Sequence, residues 1–103
     1  MTSEPEFSID SIIRRTYRLL RTRPEMFRLD RLKRGYAGLY WPDEQQIELS
    51  YRHDILSTLF HEVLHHLYPS WPEKRILSAE SFIMRHISQR RAINILKRFA
   101  AIL

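Results

Sequence analysis

Residues 56–69 read LSTLFHEVLHHLYP, and the spacing of apolar residues in this stretch decides the fold. On a helical wheel of about 100° per residue, two faces separate cleanly. The apolar face is Leu56, Leu59, Phe60, Val63, Leu64 and Leu67. The polar face is Asp54, Thr58, His61, His65 and Tyr68. We therefore predict an amphipathic helix from about Arg52 to Tyr68, with the pattern His-Glu-x-x-His on its polar side.

Two further helices are predicted on either side of this one. The first begins near Ser8 and is closed by Pro24, which cannot continue a helix. The last begins at residues 70–73, SWPE, which have the pattern of a capping box with proline in the first turn. It is expected to continue towards Phe99.

Between the first helix and residue 52, the apolar period changes from about 3.6 to two, which is typical of strands. The only glycines, Gly35 and Gly38, lie where a first strand must turn into a second, and residues 42–45, PDEQ, form the next turn signal. We predict a three-stranded antiparallel meander. The fold class is then α+β: an N-terminal helix, a small sheet, a helix carrying the histidines and a C-terminal helix.

Length and composition limit the kind of protein. The chain has 103 residues, of which 44% are hydrophobic and 28% charged, so we expect a single folded domain over residues 1–103. No apolar run approaches the roughly 18 residues of a membrane span, and the start MTSEPEFS lacks the features of a secretory signal, so a cytoplasmic location is expected. Since there is no cysteine, a metal could be held only by His, Asp or Glu.

The chain is basic, with a formal net charge of +5. Nine of its 17 basic residues fall between Arg14 and Arg34. Such clustering can mark a nucleic-acid-binding surface. The simpler interpretation, which we favour at this charge, is a solvated helix face followed by an exposed strand.

The pattern His61-Glu62-x-x-His65 has the spacing of a zinc site. Residues four apart on a helix stand one above the other, so both imidazoles can reach one cation. Zinc hydrolases bind the metal through two such histidines and a third protein ligand, and leave one position for water. Glu62 is turned about 100° from His61, which suits a general base rather than a ligand. The alternative is a solvent-facing helix turn whose histidines have no function.

Glu80 is the candidate for the third ligand. It is predicted to lie in the middle of the inward stripe of the last helix: Ile76, Leu77, Ile83, Met84 and Ile87. A buried carboxylate requires a compensating charge, which a metal or one of the arginines could supply. Glu73 lies on almost the same face, but the capping box is its simpler interpretation. His86 lies about 120° from Glu80 and is expected at the rim, where it could still act as a proton donor.

An oxyanion stabiliser is also expected in such a site. Tyr68, His86, Tyr40 and Tyr51 are candidates that the sequence does not rank. His66, at the edge of the apolar face, is expected to be packed and hydrogen-bonded, and His53 receives no role.

Across residues 25–90 the chain resembles the zincin metallopeptidases, and among them the minimal gluzincins. The resemblance rests on HEVLH in the helix and on the glutamate of ILSAESF in the next one. It implies a zincin-like fold in which His61, His65 and Glu80 bind Zn²⁺ and Glu62 is the general base. It also implies that an extended peptide pairs with the strand containing Gly38, Leu39 and Tyr40, and that the C-terminal residues 98–103, RFAAIL, could block the cleft of a latent enzyme.

Related classes fit less well. Metzincins place glycine and histidine where this chain has Tyr68 and Trp71, so that class is excluded. A SprT-like protease would use a late histidine, His86, as the third ligand and would suit the basic charge. We predict a zinc-dependent peptidase, a monomer or weak dimer, acting on an extended peptide or protein. The alternatives are a zinc-binding domain without activity and a nucleic-acid-associated module in which HEVLH is incidental.

Overall fold

The computed structural model describes residues 8–30, 32, 36–50 and 54–103, which form four α-helices and a three-stranded sheet. The helices are α1 (Ile9–Thr22), α2 (Ile55–Leu67), α3 (Glu73–His86) and α4 (Gln89–Ala101), with a short 3₁₀ helix (Pro24–Met26) after α1. The strands are β1 (Phe27–Asp30), β2 (Gly38–Trp41) and β3 (Gln46–Ser50). The predicted α+β class is confirmed.

The sheet is mixed, so the predicted antiparallel meander is wrong. Its strand order is β1-β3-β2, with β3 in the centre. Ile47 of β3 lies opposite Phe27 in a parallel pairing and opposite Tyr40 in an antiparallel one. Ile47 and Leu49 are fully buried, which suits a central strand. The alternation of apolar residues fixes which face of a strand is buried, but it does not fix which strand is its neighbour.

Three helices begin at side-chain caps. Ser8 accepts a hydrogen bond from the Ser11 amide at 3.0 Å, and Asp54 accepts from the Leu56 amide at 3.1 Å. Ser88 accepts from the Arg91 amide at 3.2 Å and so starts α4. This cap explains why the predicted last helix is two helices. Serine satisfies free amides at a helix start and interrupts the helix before it.

Helix α3 has no such cap, so the predicted capping box is wrong. Its N-cap residue is Pro72, and no side chain accepts from its first amides. A proline in place of a Ser, Thr or Asp cap cannot accept that hydrogen bond. The carboxylate of Glu73 is consequently directed elsewhere, towards the histidines of α2.

The buried apolar side chains form one cluster between the sheet and the helices. Of the predicted apolar face of α2, all are buried except Leu67, which is half-buried. Leu77 is 51% exposed and does not belong to the inward stripe of α3 that the sequence predicts. Near the C-terminus, Phe99 packs edge-on against Phe27 of β1, with ring centroids 6.3 Å apart.

This packing positions the polar face of α2. The helix contacts β2 and β3 as well as α3, so its histidines lie between the sheet edge and the start of α3. None of the helices in the described ranges combines the length and the apolar character needed to cross a membrane.

Candidate metal centre

Two imidazole nitrogens converge on one point of the surface of α2. The rings of His61 and His65, one helical turn apart, have centroids 4.9 Å from each other. The Nε2 atoms of His61 and His65 lie 3.0 and 2.9 Å from the two carboxylate oxygens of Glu73. One ligand atom from each of the three residues lies within 4.8 Å of the others. The donors are therefore close enough together to share one ion.

Glu80 reaches the same cluster from the other side of His61. Its Oε1 lies 2.7 Å from Nδ1 of His61, and its side chain is 21% exposed. Glu80, predicted as the third metal ligand, therefore contacts His61 through the nitrogen that faces away from Glu73, and it is not in the candidate metal group of His61, His65 and Glu73. Metal-binding histidines commonly donate their second N–H to a carboxylate, which fixes the ring and makes it a better ligand. The contact suits an orienting residue more directly than a ligand.

The chemistry of this donor set fits zinc. Two imidazole nitrogens and one carboxylate oxygen are the ligands that zinc uses in hydrolytic sites. Both ring nitrogens of His61 face carboxylate oxygens, Nε2 towards Glu73 and Nδ1 towards Glu80. A metal ion bound by Nε2 would leave Nδ1 to donate its N–H to Glu80. His61, His65 and Glu73 could therefore hold one cation.

Glu62 lies beside the histidines and is almost completely buried, with 6% of its surface exposed. Burial raises the pKa of this carboxyl to about 7; His61 lowers the pKa, whereas Glu73 and Glu80 raise it. A carboxyl with a pKa near the working pH is suited to taking up and returning a proton. The sequence placed Glu62 at the flank of the polar face, where its burial was not expected.

The edge strand β2 passes very close to Glu62. A Cβ atom added to Gly38 would lie 2.6 Å from Cγ2 of Thr58 and 3.2 Å from Cγ of Glu62. Only glycine therefore allows this approach of the strand to the helix. In the described part of the sheet β2 pairs with β3 alone, so its other edge faces the histidine side of α2.

Two grooves meet at this point. One, of about 670 Å³, extends along β2, and the other, of about 430 Å³, extends towards Asp54. They share four lining residues: Tyr36, Gly38, His61 and Glu62. The predicted substrate residues Gly38, Leu39 and Tyr40 all line the larger groove. An extended chain lying in both grooves would pass directly over Glu62.

A hydrogen-bonded network holds Tyr40 in the larger groove. Its hydroxyl lies 2.9 Å from Nδ1 of His66 and accepts a hydrogen bond from Nε2 of Gln45 at 3.1 Å. Burial, with a contribution from Arg23, lowers the pKa of His66, which favours a neutral ring that accepts from Tyr40. The prediction that His66 is packed and hydrogen-bonded is confirmed. Gln45 adopts a left-handed backbone, with φ of 53°, which no sequence signal indicated.

The other candidates lie elsewhere. Tyr68 caps α2 and stacks on Trp71, with centroids 4.0 Å apart. His86 is exposed at the end of α3, 4.4 Å from the ring of Phe82. Neither residue is among those that line the two grooves, and His86 is not in the candidate metal group. Tyr51 and His53 lie outside the described residues.

Two further observations concern residues that line the grooves. Tyr36, which lines both, was missed because it follows no periodic pattern and no motif. None of the described residues that line them belongs to the C-terminal segment 98–103, whose Phe99 is buried in the core. The structure does not bring this segment to the histidines.

Comparison with known proteins gives no relative from which a function could be transferred. The chain matches no protein-family model, and it has no significant match among curated protein sequences or among solved structures.

Proposed function

We propose that this protein is a zinc-dependent peptidase that cleaves an extended peptide lying along β2. One observation carries the proposal: the Nε2 atoms of His61 and His65 converge on a single carboxylate, beside a buried glutamate in an open groove. A solvent-facing helix turn with idle histidines would require neither the convergence nor the buried acid.

The metal would be held by His61, His65 and Glu73. This differs from the ligand set that the family resemblance implies, in which Glu80 is the third ligand. The change rests on the geometry, because Glu73 contacts both Nε2 atoms and Glu80 contacts only Nδ1 of His61. Glu80 would then keep His61 in the tautomer whose Nε2 lone pair is free for the ion. Zinc, when bound, supplies a Lewis acid that polarises the scissile carbonyl and promotes the ionisation of water.

Glu62 would act as the general base. Its carboxylate takes the proton of the attacking water and returns it to the amine that leaves when the C–N bond breaks. In the metal-free protein burial raises the pKa of Glu62 to about 7, which favours a carboxyl that can hold the proton. A bound cation would lower this pKa and so favour the ionised form that takes up the proton of water. The burial that raises this pKa depends on the close contact with Gly38.

The free edge of β2 would bind the substrate. An extended peptide can pair with such an edge through main-chain hydrogen bonds, as peptides do when they add a strand to a sheet. The grooves on both sides of Glu62 provide room for residues before and after the cleaved bond. Of the candidate tyrosines that the structure describes, Tyr40 is the one that lines the groove, and its hydroxyl is held in place by Gln45 and His66.

The test combines metal content with turnover. Purified protein should contain about one equivalent of zinc by elemental analysis and should cleave members of a quenched fluorescent peptide library. Glu62→Gln should keep its zinc and lose roughly 10²- to 10⁴-fold in turnover, the usual contribution of a general base. His65→Ala should lose both. Full zinc content without turnover in the parent protein would refute the peptidase and leave a zinc-binding domain without activity.

A further inference from the structure

The surface formed by α1 and α4 is strongly positive. Eight exposed cations lie on these two helices, and we call this surface the α1–α4 face: Arg14, Arg15, Arg18, Arg21, Arg90, Arg91, Lys97 and Arg98. The two helices contact each other, and Arg21, Lys97 and Arg98 line one groove between them. The only acidic residue in either helix is Asp10. Half of this face comes from α4, which lies outside the basic cluster that the sequence singles out.

Little of this charge is compensated within the protein. Arg91 forms an ion pair with Asp10. For the other seven cations, no carboxylate of the described residues lies within ion-pair distance. Like charges held close together repel one another, and a bound anion relieves that repulsion.

The face is concave where the two helices meet. A groove of about 470 Å³ is lined by Tyr17, Arg21, Asn94, Lys97, Arg98 and Ala101. The guanidinium of Arg98 lies over the ring of Tyr17, 5.1 Å from its centroid. A smaller depression on α1 is lined by Ser11, Arg14, Arg15 and Arg18. Cations, an amide and an aromatic ring therefore meet in one recess.

We propose that the α1–α4 face binds the sugar–phosphate backbone of a nucleic acid. Arg14, Arg18 and Arg21 follow one another at helical spacing and extend over about 10 Å of helix axis. A nucleic-acid strand presents one phosphate per roughly 3.4 Å of duplex axis, so this row can meet about three phosphates. One guanidinium group can bind two oxygens of the same phosphate through two parallel hydrogen bonds. Tyr17 and Asn94 offer a stacking surface and a hydrogen-bonding amide beside the row.

This surface is separate from the candidate metal centre. The groove uses residues of α1 and α4 only, whereas the metal centre uses α2 and α3. The inference therefore goes beyond the proposed peptidase and does not depend on it. A nucleic acid fits the recess better than a lipid surface does, because headgroups lie in a plane and would not enter a groove between two helices.

The test measures binding of the full-length protein to a fluorescein-labelled 20-base-pair duplex DNA and to a single-stranded RNA. The variant Arg21→Glu/Lys97→Glu reverses two cations of the groove. The matched control, Lys74→Glu/Arg85→Glu, makes the same change in net charge at exposed positions of α3. Thermal unfolding checks that both variants are folded. The titrations are run in EDTA and again with zinc.

We expect the parent protein to bind at 50 mM salt. A plot of the logarithm of the association constant against the logarithm of the salt concentration should have a slope of about −3, since roughly 0.9 counterion is released per phosphate contacted. The groove variant should bind at least about tenfold more weakly, with a slope reduced by about 1 for the lost Arg21 contact, and the control variant should bind less than about threefold more weakly. Zinc should change neither result.

Three outcomes would overturn the proposal. Absence of binding at 50 mM salt would do so directly. Equal weakening by the groove and control variants would show a response to net charge alone. Binding to vesicles rich in phosphatidylserine, or to a poly-glutamate peptide, as tightly as to both nucleic acids would show an unselective cation surface.

Discussion

The two sides of this molecule use charge in opposite ways. On the side of α2 and α3, the carboxylates of Glu73 and Glu80 contact two imidazoles at distances of 2.7 to 3.0 Å. On the α1–α4 face, eight exposed cations share a single carboxylate. The net charge of +5 describes neither side. The difference shows that a chain's total charge says little about a site, because burial and spacing decide what a charge does.

The largest expected effect is on zinc affinity, and it distinguishes the roles of Glu73 and Glu80. Glu73→Ala should lose most of its zinc affinity, because it removes the carboxylate whose two oxygens contact the two Nε2 atoms. Glu80→Ala should weaken zinc binding by roughly 10- to 100-fold, the usual effect of removing the partner of a histidine ligand. Competition with a chelator of known affinity measures both. A larger loss in Glu80→Ala would return Glu80 to the ligand role that the resemblance implies.

The pKa of Glu62 predicts how the stability of the metal-free protein depends on pH. The pKa of Glu62 is about 7 in the folded protein, against an ordinary value of 4.5. The folded state therefore binds the proton more tightly than the unfolded state does. The free energy of unfolding should therefore fall as pH rises from 4.5 through 7. Above pH 7 the ionised carboxylate destabilises the fold by up to about 3 kcal/mol.

Glu62→Gln removes this dependence. In EDTA it should be more stable than the parent at pH 8, and the difference should shrink towards zero near pH 4.5. Urea denaturation at both values measures it. A constant difference between the two proteins across this range would contradict the assigned pKa.

The next prediction concerns the close contact between Gly38 of β2 and helix α2. Gly38→Ala places a Cβ 2.6 Å from Cγ2 of Thr58, so either the strand or the helix must move. We expect destabilisation by about 1–3 kcal/mol, the usual range for overpacking. Turnover should fall further than stability explains, because the shift also displaces Glu62. Pairing the variant with Thr58→Ser, which removes the obstructing methyl group, should restore part of the stability; no restoration would locate the strain elsewhere.

The smallest effect is expected on the opposite side. Arg21→Glu/Lys97→Glu changes exposed residues far from the buried cluster, so its free energy of unfolding should stay within about 0.5 kcal/mol of the parent per substitution. Zinc affinity should be unchanged, because substitutions at separate sites act independently. Chelator competition checks this. A tenfold change would mean that the two sides are coupled.

Periodicity made much of the fold predictable. Helix α2 and strands β1 and β3 follow from spacing, because each buries one face of a regular element, whereas β2 was predicted from the turn signals on either side of it. The strand order did not follow, since β3 lies between β1 and β2 and pairs in parallel with one and antiparallel with the other. A local pattern of apolar residues does not predict which strands are neighbours in a sheet.

The residues of the candidate site were also predictable only in part. His61, Glu62 and His65 were predictable, because their relation is fixed by one helix. Glu73 was not favoured as a metal ligand, since residues 70–73, SWPE, have the pattern of a capping box. Whether Glu73 can reach the histidines instead depends on how α3 packs against α2. Tyr36 gave no signal. Gln45 was predicted to lie in the turn at residues 42–45, but its left-handed backbone was not predicted.

The central position of β3 has a consequence for synthesis on the ribosome. A chain that has emerged only to residue 45 contains both outer strands, and neither has its partner. β1 and β2 are joined to the sheet only when residues 46–50 have been added, and Phe27 can pack against Phe99 only when residue 99 has been added. Domains of this size commonly fold as units. The nascent protein should therefore acquire its groove and its core together, late, rather than in stages from the N-terminus.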